Sequence, residues 1–373
     1  MSMKSPIIAR PRCTNVGFTL AEVLVSIVVV VILVFMFAQL MTSAHTINRD
    51  EHKRIDTDTQ ARVVFDRMAL DFAQMIKRTD VDYYVKQKVF KGHSNGHGCG
   101  AGRNNDLSSD QIAFYSHVPG YYPSGYTSGQ QSPISLVAYR VNESNSAQDA
   151  ARYGRLERMA KGLGWNALGS NPNQNAPSPI VFATGQIDNS CTGNSCPCNG
   201  TVGPWATVWS GAICNTNNSR DDDYEVIGPN VFRFEYYYIL KNGRVTDWPW
   251  DRFDYPNQLT IYNPVALGLS QIQAISVSIA VIDPASRALI QAASTTTGYG
   301  DIVDLAGDLP DFKNTCGRGV GGQKSLGYLE SQWNDNLVSV AQTGHVINGT
   351  KLYPREAAKG IRVYNRYFDL KIW

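Results

Sequence analysis

Between Val23 and Asn48 the chain carries no Asp, Glu, Lys or Arg, and every side chain from residue 27 to residue 37 is apolar. About 20 such residues in a helix match the hydrocarbon thickness of a bilayer. This run therefore predicts one membrane-spanning helix, and the rest of the chain has to be arranged around it. Lys4, Arg10 and Arg12 precede it with no acid among them, whereas the far side is mixed, Arg49-Asp50-Glu51-His52-Lys53-Arg54. That basic bias places the N-terminus in the cytoplasm and the remainder outside. A secretory signal would be shorter and end on small residues suited to cleavage, and Ala38-Gln39-Leu40 offers a poor site. A retained span is the expectation.

One carboxylate stands at the head of this helix. Glu22 costs a few kcal/mol within a membrane helix on insertion scales, so it needs a partner or a use. A position at the membrane edge, where a helix N-terminus tolerates an anion, is the plainer alternative. The setting Gly17-Phe18-Thr19-Leu20-Ala21-Glu22, behind a basic leader and ahead of the apolar run, resembles the processing motif of type IV prepilins and pseudopilins. The resemblance implies that prepilin peptidase cuts between Gly17 and Phe18 and that Phe18 becomes the methylated N-terminus. It also implies that Glu22 pairs with the N-terminal amine of a neighbouring subunit during filament assembly.

Loss of residues 1–17 removes three basic residues and no acids, so Lys+Arg falls from 34 to 31 against 32 Asp+Glu. The mature chain is near neutral and has no basic stripe, which gives nucleic-acid binding no support. Cys13 leaves with the leader. Cys99, Cys191, Cys196, Cys198, Cys214 and Cys316 would all lie outside the cytoplasm, where an even number reads as disulfides of undetermined pairing. Zinc is the competing reading, through Cys191, Cys196, Cys198 and Cys214 or through His93, His97 and Cys99, but neither set has the usual paired spacing.

Helical periodicity continues beyond the apolar run. Ile55, Phe65, Met68, Ala69, Phe72, Met75 and Ile76 recur at three- and four-residue steps, with Arg62, Asp66, Arg67, Asp71 and Lys77 assigned to other faces. No glycine or proline interrupts residues 18–79, so one helix of about 90 Å is expected. Its span would cover residues 20–44 and its amphipathic part residues 45–79. After residue 80 the pattern changes to strands, expected at 83–90, 111–117, 134–141, 231–240, 272–282, 287–294 and 361–372. Lys241-Asn242-Gly243-Arg244 reads as a two-residue type I′ hairpin turn. Residues 92–110, 144–179 and 187–223 read as long irregular insertions, of a length that calls for staples or function.

The expected architecture is thus α+β. A leader (1–17) and a long N-terminal membrane-spanning stalk helix (18–79) precede an antiparallel β-rich extracytoplasmic head (80–373) with disulfide-stapled loops. Val137-Ala-Tyr-Arg-Val141, Leu156-Glu-Arg158, Val231-Phe-Arg-Phe-Glu-Tyr-Tyr-Tyr238, the residues around 272–281 and Arg362-Val-Tyr-Asn-Arg-Tyr-Phe-Asp-Leu370 are similar to elements of J-type minor pseudopilins of type II secretion. Prepilin-like proteins of verrucomicrobial cassettes share the same features.

Four motifs suggest chemistry and lack its context. Gly92-His-Ser-Asn-Gly96 fits a nucleophile elbow, but the glycine-rich stretch after it cannot start the helix the elbow needs. Thr295-Thr-Thr-Gly-Tyr-Gly-Asp301 looks like a potassium-channel filter without a second membrane helix, and reads instead as a strand end and turn. Gly317-Arg-Gly-Val-Gly-Gly322 has no strand before it or helix after it to cradle phosphate. Asp221, Asp222 and Asp223 are weak calcium candidates without the spaced oxygens of a known loop.

No catalytic constellation emerges, and neither a cofactor nor a small-molecule substrate is expected. The resemblance implies a structural subunit in the inner membrane, with its head in the periplasm. It would assemble into, or at the tip of, a type II secretion pseudopilus or type IV pilus-like filament alongside other major and minor pseudopilins. The alternative is an adhesin or binding module that uses the prepilin route as an anchor.

Overall fold

The computed structural model describes residues 19–77, 109–121, 131–143, 150–164, 224–246, 269–312 and 324–370. It is α+β, with an N-terminal apolar helix and two antiparallel sheets. The chain divides into two units, Met1–Lys53 and Arg54–Trp373, and helix α1 (Leu20–Ala73) contributes to both.

In the first unit, Leu20–His45 is long and apolar enough to cross a membrane, and none of it is buried. Two of its hydroxyls are satisfied within the helix. Ser26 Oγ donates to the Glu22 carbonyl at 2.7 Å and Thr42 Oγ1 to the Ala38 carbonyl at 2.9 Å, so neither brings an open donor to an apolar surface.

In the second unit α1 buries a stripe of Ala61, Val64, Phe65, Met68 and Phe72, at the three- and four-residue steps that keep side chains on one helical face. The helix ends at Ala73, earlier than the expected residue 79. Beyond it the backbone turns into sheet pairing, with Ile76 N–H donating to Tyr115 O at 2.8 Å and His117 N–H to Gln74 O at 3.0 Å.

The first sheet has the order β1-β2-β3-β4, formed by Ile112–Ser116, Gln131–Val141, Leu156–Gly164 and Tyr224–Gly228. The second has the order β6-β5-β7-β8, with β5 at Val231–Leu240, β6 at Val245–Thr246, β7 at Ile272–Ile282 and β8 at Ile361–Asp369. One core joins the α1 stripe to both sheets, and Phe72 lies 5.0 Å from Phe114 and 5.1 Å from Phe368, ring centre to ring centre.

A second core covers the opposite face of the second sheet with helices α2 (Pro284–Ala293), α3 (Ile302–Asp308), α4 (Tyr328–Thr343) and α5 (Arg355–Ala358). A sheet covered on both faces needs apolar residues on both. That explains why β5 and β7 carry apolar residues on both faces, with Arg233, Glu235, Ser276 and Ser278 buried among them.

Several expectations are corrected. Residues 287–293 are helical rather than a strand, and Ser294 is the C-cap. Asp283 accepts from the Ala285 and Ser286 amides and Pro284 occupies the first turn, an N-terminal signature followed by Ala, Leu and Gln, which favour helix, with Ile290 the one β-branched residue. The stretch from Thr295 to Asp301 therefore follows a helix, and Asp301 caps the next one, with Asp304 completing the capping box.

The insertion expected at 144–179 contains β3, which pairs with β2 from Leu156↔Val141 to Gly164↔Gln131. The turn after β5 is three residues long. Gly243 N–H donates to Leu240 O, Leu240 N–H donates to Arg244 O, and only Gly243 takes a positive φ, +81°. This is a type I turn closed by a glycine bulge in place of type I′. The strand expected at 83–90 lies outside the described residues, and so do residues 92–108 of the insertion expected at 92–110 and the insertion at 187–223.

Candidate functional site

Glu22 is the one predicted site residue among those described. Thr19 caps α1: Glu22 N–H donates to Thr19 Oγ1 at 3.3 Å, while Thr19 N–H and Thr19 Oγ1 donate to Glu22 Oε2 at 2.9 and 3.0 Å. This is a reciprocal capping box, which satisfies amide groups that a helix start otherwise leaves open. The Thr-x-x-Glu spacing ahead of an apolar run is the sequence signal for it. Both bonds fall on Oε2, and Oε1 accepts none among the described residues. The carboxylate thus holds its own helix through one oxygen, Oε2.

Gly17 and Phe18 lie outside the described residues, as do Cys99, Cys191, Cys196, Cys198, Cys214, Cys316, Asp221, Asp222 and Asp223. The glycine motifs at 92–96 and 317–322 lie there too. Among the described residues no group of three His, Cys, Asp or Glu could hold a metal ion.

The second unit contains a polar centre that periodicity misplaces. Asp71, assigned to a face other than the apolar stripe, is fully buried. Arg158 donates to it twice, Nε to Oδ2 at 2.7 Å and Nη2 to Oδ1 at 3.0 Å, and the Tyr139 hydroxyl donates to the same Oδ2. Ser116 Oγ donates to the Asp71 carbonyl at 2.8 Å, satisfying one of the acceptors left open where α1 ends. Burial, then the Asp71 charge, pushes the Tyr139 phenol well above its ordinary value, so it remains a donor.

Register explains the placement. Tyr139 on β2 faces Arg158 on β3, and one step along the ladder Arg140 faces Glu157 on the other side of the sheet, with Nε to Oε2 at 3.0 Å. Residues 137–141 and 156–158 therefore lie on adjacent strands. With both Asp71 carboxylate oxygens engaged by donors, this group has no free base function and acts as an anchor for α1.

A second anchor lies in β5, where a bulge puts Phe232 and Arg233 on the same side of the sheet. Arg233 is fully buried and donates through Nη2 to Asp311 and to Glu235, whose Oε1 accepts the Phe312 N–H at 3.2 Å. It ties the chain after α3 to the sheet.

The β8 strand holds α1 from the side. Arg366 Nη1 reaches Asp66 at 2.6 Å, and the Tyr364 hydroxyl donates to Asp58 and lies 3.0 Å from the Thr57 hydroxyl. Burial, then the bond to Asp58, raises the Tyr364 phenol to about 12. Comparison with protein-family models, with curated proteins and with solved structures gives no match for this chain.

Proposed function

We propose that this chain is a minor pilin-like subunit, cut between Gly17 and Phe18 and assembled through α1 into a pseudopilus or type IV pilus-like filament. The observation that carries the reading is the sequence Gly17-Phe18-Thr19-Leu20-Ala21-Glu22 at the head of a helix long and apolar enough to cross a membrane. An all-round apolar helix has to be covered by lipid or by other apolar helices. In the subunit reading both coverings are used in turn, first the inner membrane and then the neighbouring subunits.

Glu22 supports this reading through the division of its oxygens. Thr19 engages Oε2 and leaves Oε1 for a neighbour's N-terminal amine. Such an ion pair in apolar surroundings sets the register because an unpaired charge there is costly.

Two variants separate charge from capping. Glu22→Gln keeps an acceptor for the Thr19 amide and loses the charge, whereas Thr19→Val keeps the charge and loses the hydroxyl cap. With membrane insertion and cleavage monitored alongside, co-purification with partner subunits is expected to fall at least about tenfold for Glu22→Gln and to persist for Thr19→Val. Normal co-assembly of Glu22→Gln would overturn the register role. Intact mass of the mature chain tests the processing step, because retention of residues 1–17 contradicts it.

A further inference from the structure

Asn-x-Ser/Thr, with x other than proline, begins at four places in the chain: Asn142, Asn199, Asn217 and Asn348. A carboxamide two residues ahead of a hydroxyl is the acceptor sequence for N-linked oligosaccharides, which are bulky and polar and need a surface position. Transfer therefore requires that both groups can be reached. Asn142 fails on that ground, because it is fully buried and its Nδ2 donates to Glu157 Oε1 at 3.2 Å. Asn199 and Asn217 lie outside the described residues.

Asn348 meets the requirement. It sits in the connection between α4 and α5, in a turn closed by Gly349 N–H, which donates to Val346 O at 3.0 Å. Ile347 N–H donates to Asn336 Oδ1 at 3.0 Å, so the turn is tied back to α4. Asn348 is the one non-glycine among the described residues with a positive φ, +61°. With Ile347 ahead of it at negative φ this is a type II turn, whose third position takes glycine or asparagine.

The side chains are free where the backbone is held. Asn348 and Thr350 are both exposed, and neither side chain has a hydrogen-bond partner among the described residues. The turn accounts for the asparagine. The threonine two residues on has no bonding use in the fold, and what it adds is the second half of the acceptor sequence.

We propose that Asn348 is the attachment site of an N-linked oligosaccharide, transferred from a lipid pyrophosphate carrier on the outer face of the membrane. This inference rests on the reading that places the chain after α1 outside the cytoplasm. In the transfer, Asn348 Nδ2 attacks the anomeric carbon of the first sugar. A C–N bond forms and the anomeric C–O bond breaks, so that the lipid pyrophosphate leaves with that electron pair. The amide nitrogen gives up one proton to a base of the transferase. The product sets a polar sugar beside Ile347, whose apolar side chain is exposed.

The test is peptide mass spectrometry on the full-length chain purified from the membranes of the cells that encode it, with Thr350→Ala and Thr350→Ser made in the same cells. The peptide containing Asn348 is expected to carry the mass of a sugar chain, to lose it in Thr350→Ala and to keep it in Thr350→Ser. Thr350 is exposed and bonds to no other side chain, so neither replacement removes a contact that holds the turn.

Protease added to intact spheroplasts reports separately on which side the second unit lies. An unmodified Asn348 in a chain whose second unit is cut from outside overturns the glycan and leaves the topology standing. A second unit protected from the protease overturns both. Sugar confined to Asn199 or Asn217, or sugar on Asn348 that persists in Thr350→Ala, also overturns the assignment.

Discussion

Arg158 on β3 and Asp71 in the last turns of α1 form a two-bond fork, Nε to Oδ2 and Nη2 to Oδ1, with Asp71 fully enclosed and Arg158 only 3% exposed. A charge fork buried this deeply adds modest net stability while both partners are present. Its loss is costly because it strands the remaining charge. Asp71→Ala should therefore destabilise the second unit by about 3–5 kcal/mol. Tyr139→Phe, which removes a single donor from a carboxylate still held by Arg158, should cost about 1–3 kcal/mol. Denaturant midpoints of the full-length chain in detergent check both, and a Tyr139→Phe loss equal to that of Asp71→Ala would contradict this order.

Gly360 closes the chain onto the start of α2. A Cβ there would lie 1.8 Å from Asp283 Oδ2 and 2.1 Å from Ser286 Oγ, within the cap that holds the first turn. Gly360→Ala should displace that cap and cost about 1–3 kcal/mol. Faster amide exchange at Ala285 and Ser286, with the β5–β7 ladder unchanged, is the local signature to look for.

Asp308 provides a pH dependence. Burial holds its carboxyl above the usual carboxylate range, although the Tyr353 hydroxyl, which donates to Oδ2 at 2.5 Å, and the nearby Lys351 charge pull it down. A raised folded value means that the folded state binds the proton more tightly than the unfolded chain. The resulting stability is fully present below the ordinary carboxylate value and is lost as pH rises through the folded one. Asp308→Asn keeps an acceptor for Tyr353 and removes the charge. The midpoint of the natural chain minus that of the variant should therefore fall as pH rises from about 4 toward neutrality. A difference that stays flat across this range would show that Asp308 is not desolvated in the fold.

The elements legible from sequence are those in which periodicity and composition agree. α1 is readable because its apolar run has no charge and its second half keeps three- and four-residue steps. β5 and β7 coincide with the expected residues 231–240 and 272–282, since both are rich in β-branched or aromatic residues. α4 escapes a sequence reading although Leu329, Trp333, Leu337 and Val340 recur at helical spacing and are buried on one face. Polar residues between them, and glycines at both ends, give that stretch the look of a loop. α2 reads as a strand only when the Asp283-Pro284 start and the Ala- and Leu-rich composition behind it are overlooked.

The arrangement at the head of α1 is local in origin. Thr19, Glu22 and the uncharged helix behind them are close in sequence, so helix geometry and capping chemistry follow from those residues alone. The position of Asp71 is different in kind. A carboxylate on an amphipathic helix is ordinarily solvated, and this one is enclosed because Arg158, 87 residues away, arrives beside it through the pairing of β2 with β3. Local spacing determines which residues share a helical face. Only the folded sheets determine whether that face meets water or a buried counter-charge, because the free energy of an ion depends on partners that distant segments bring.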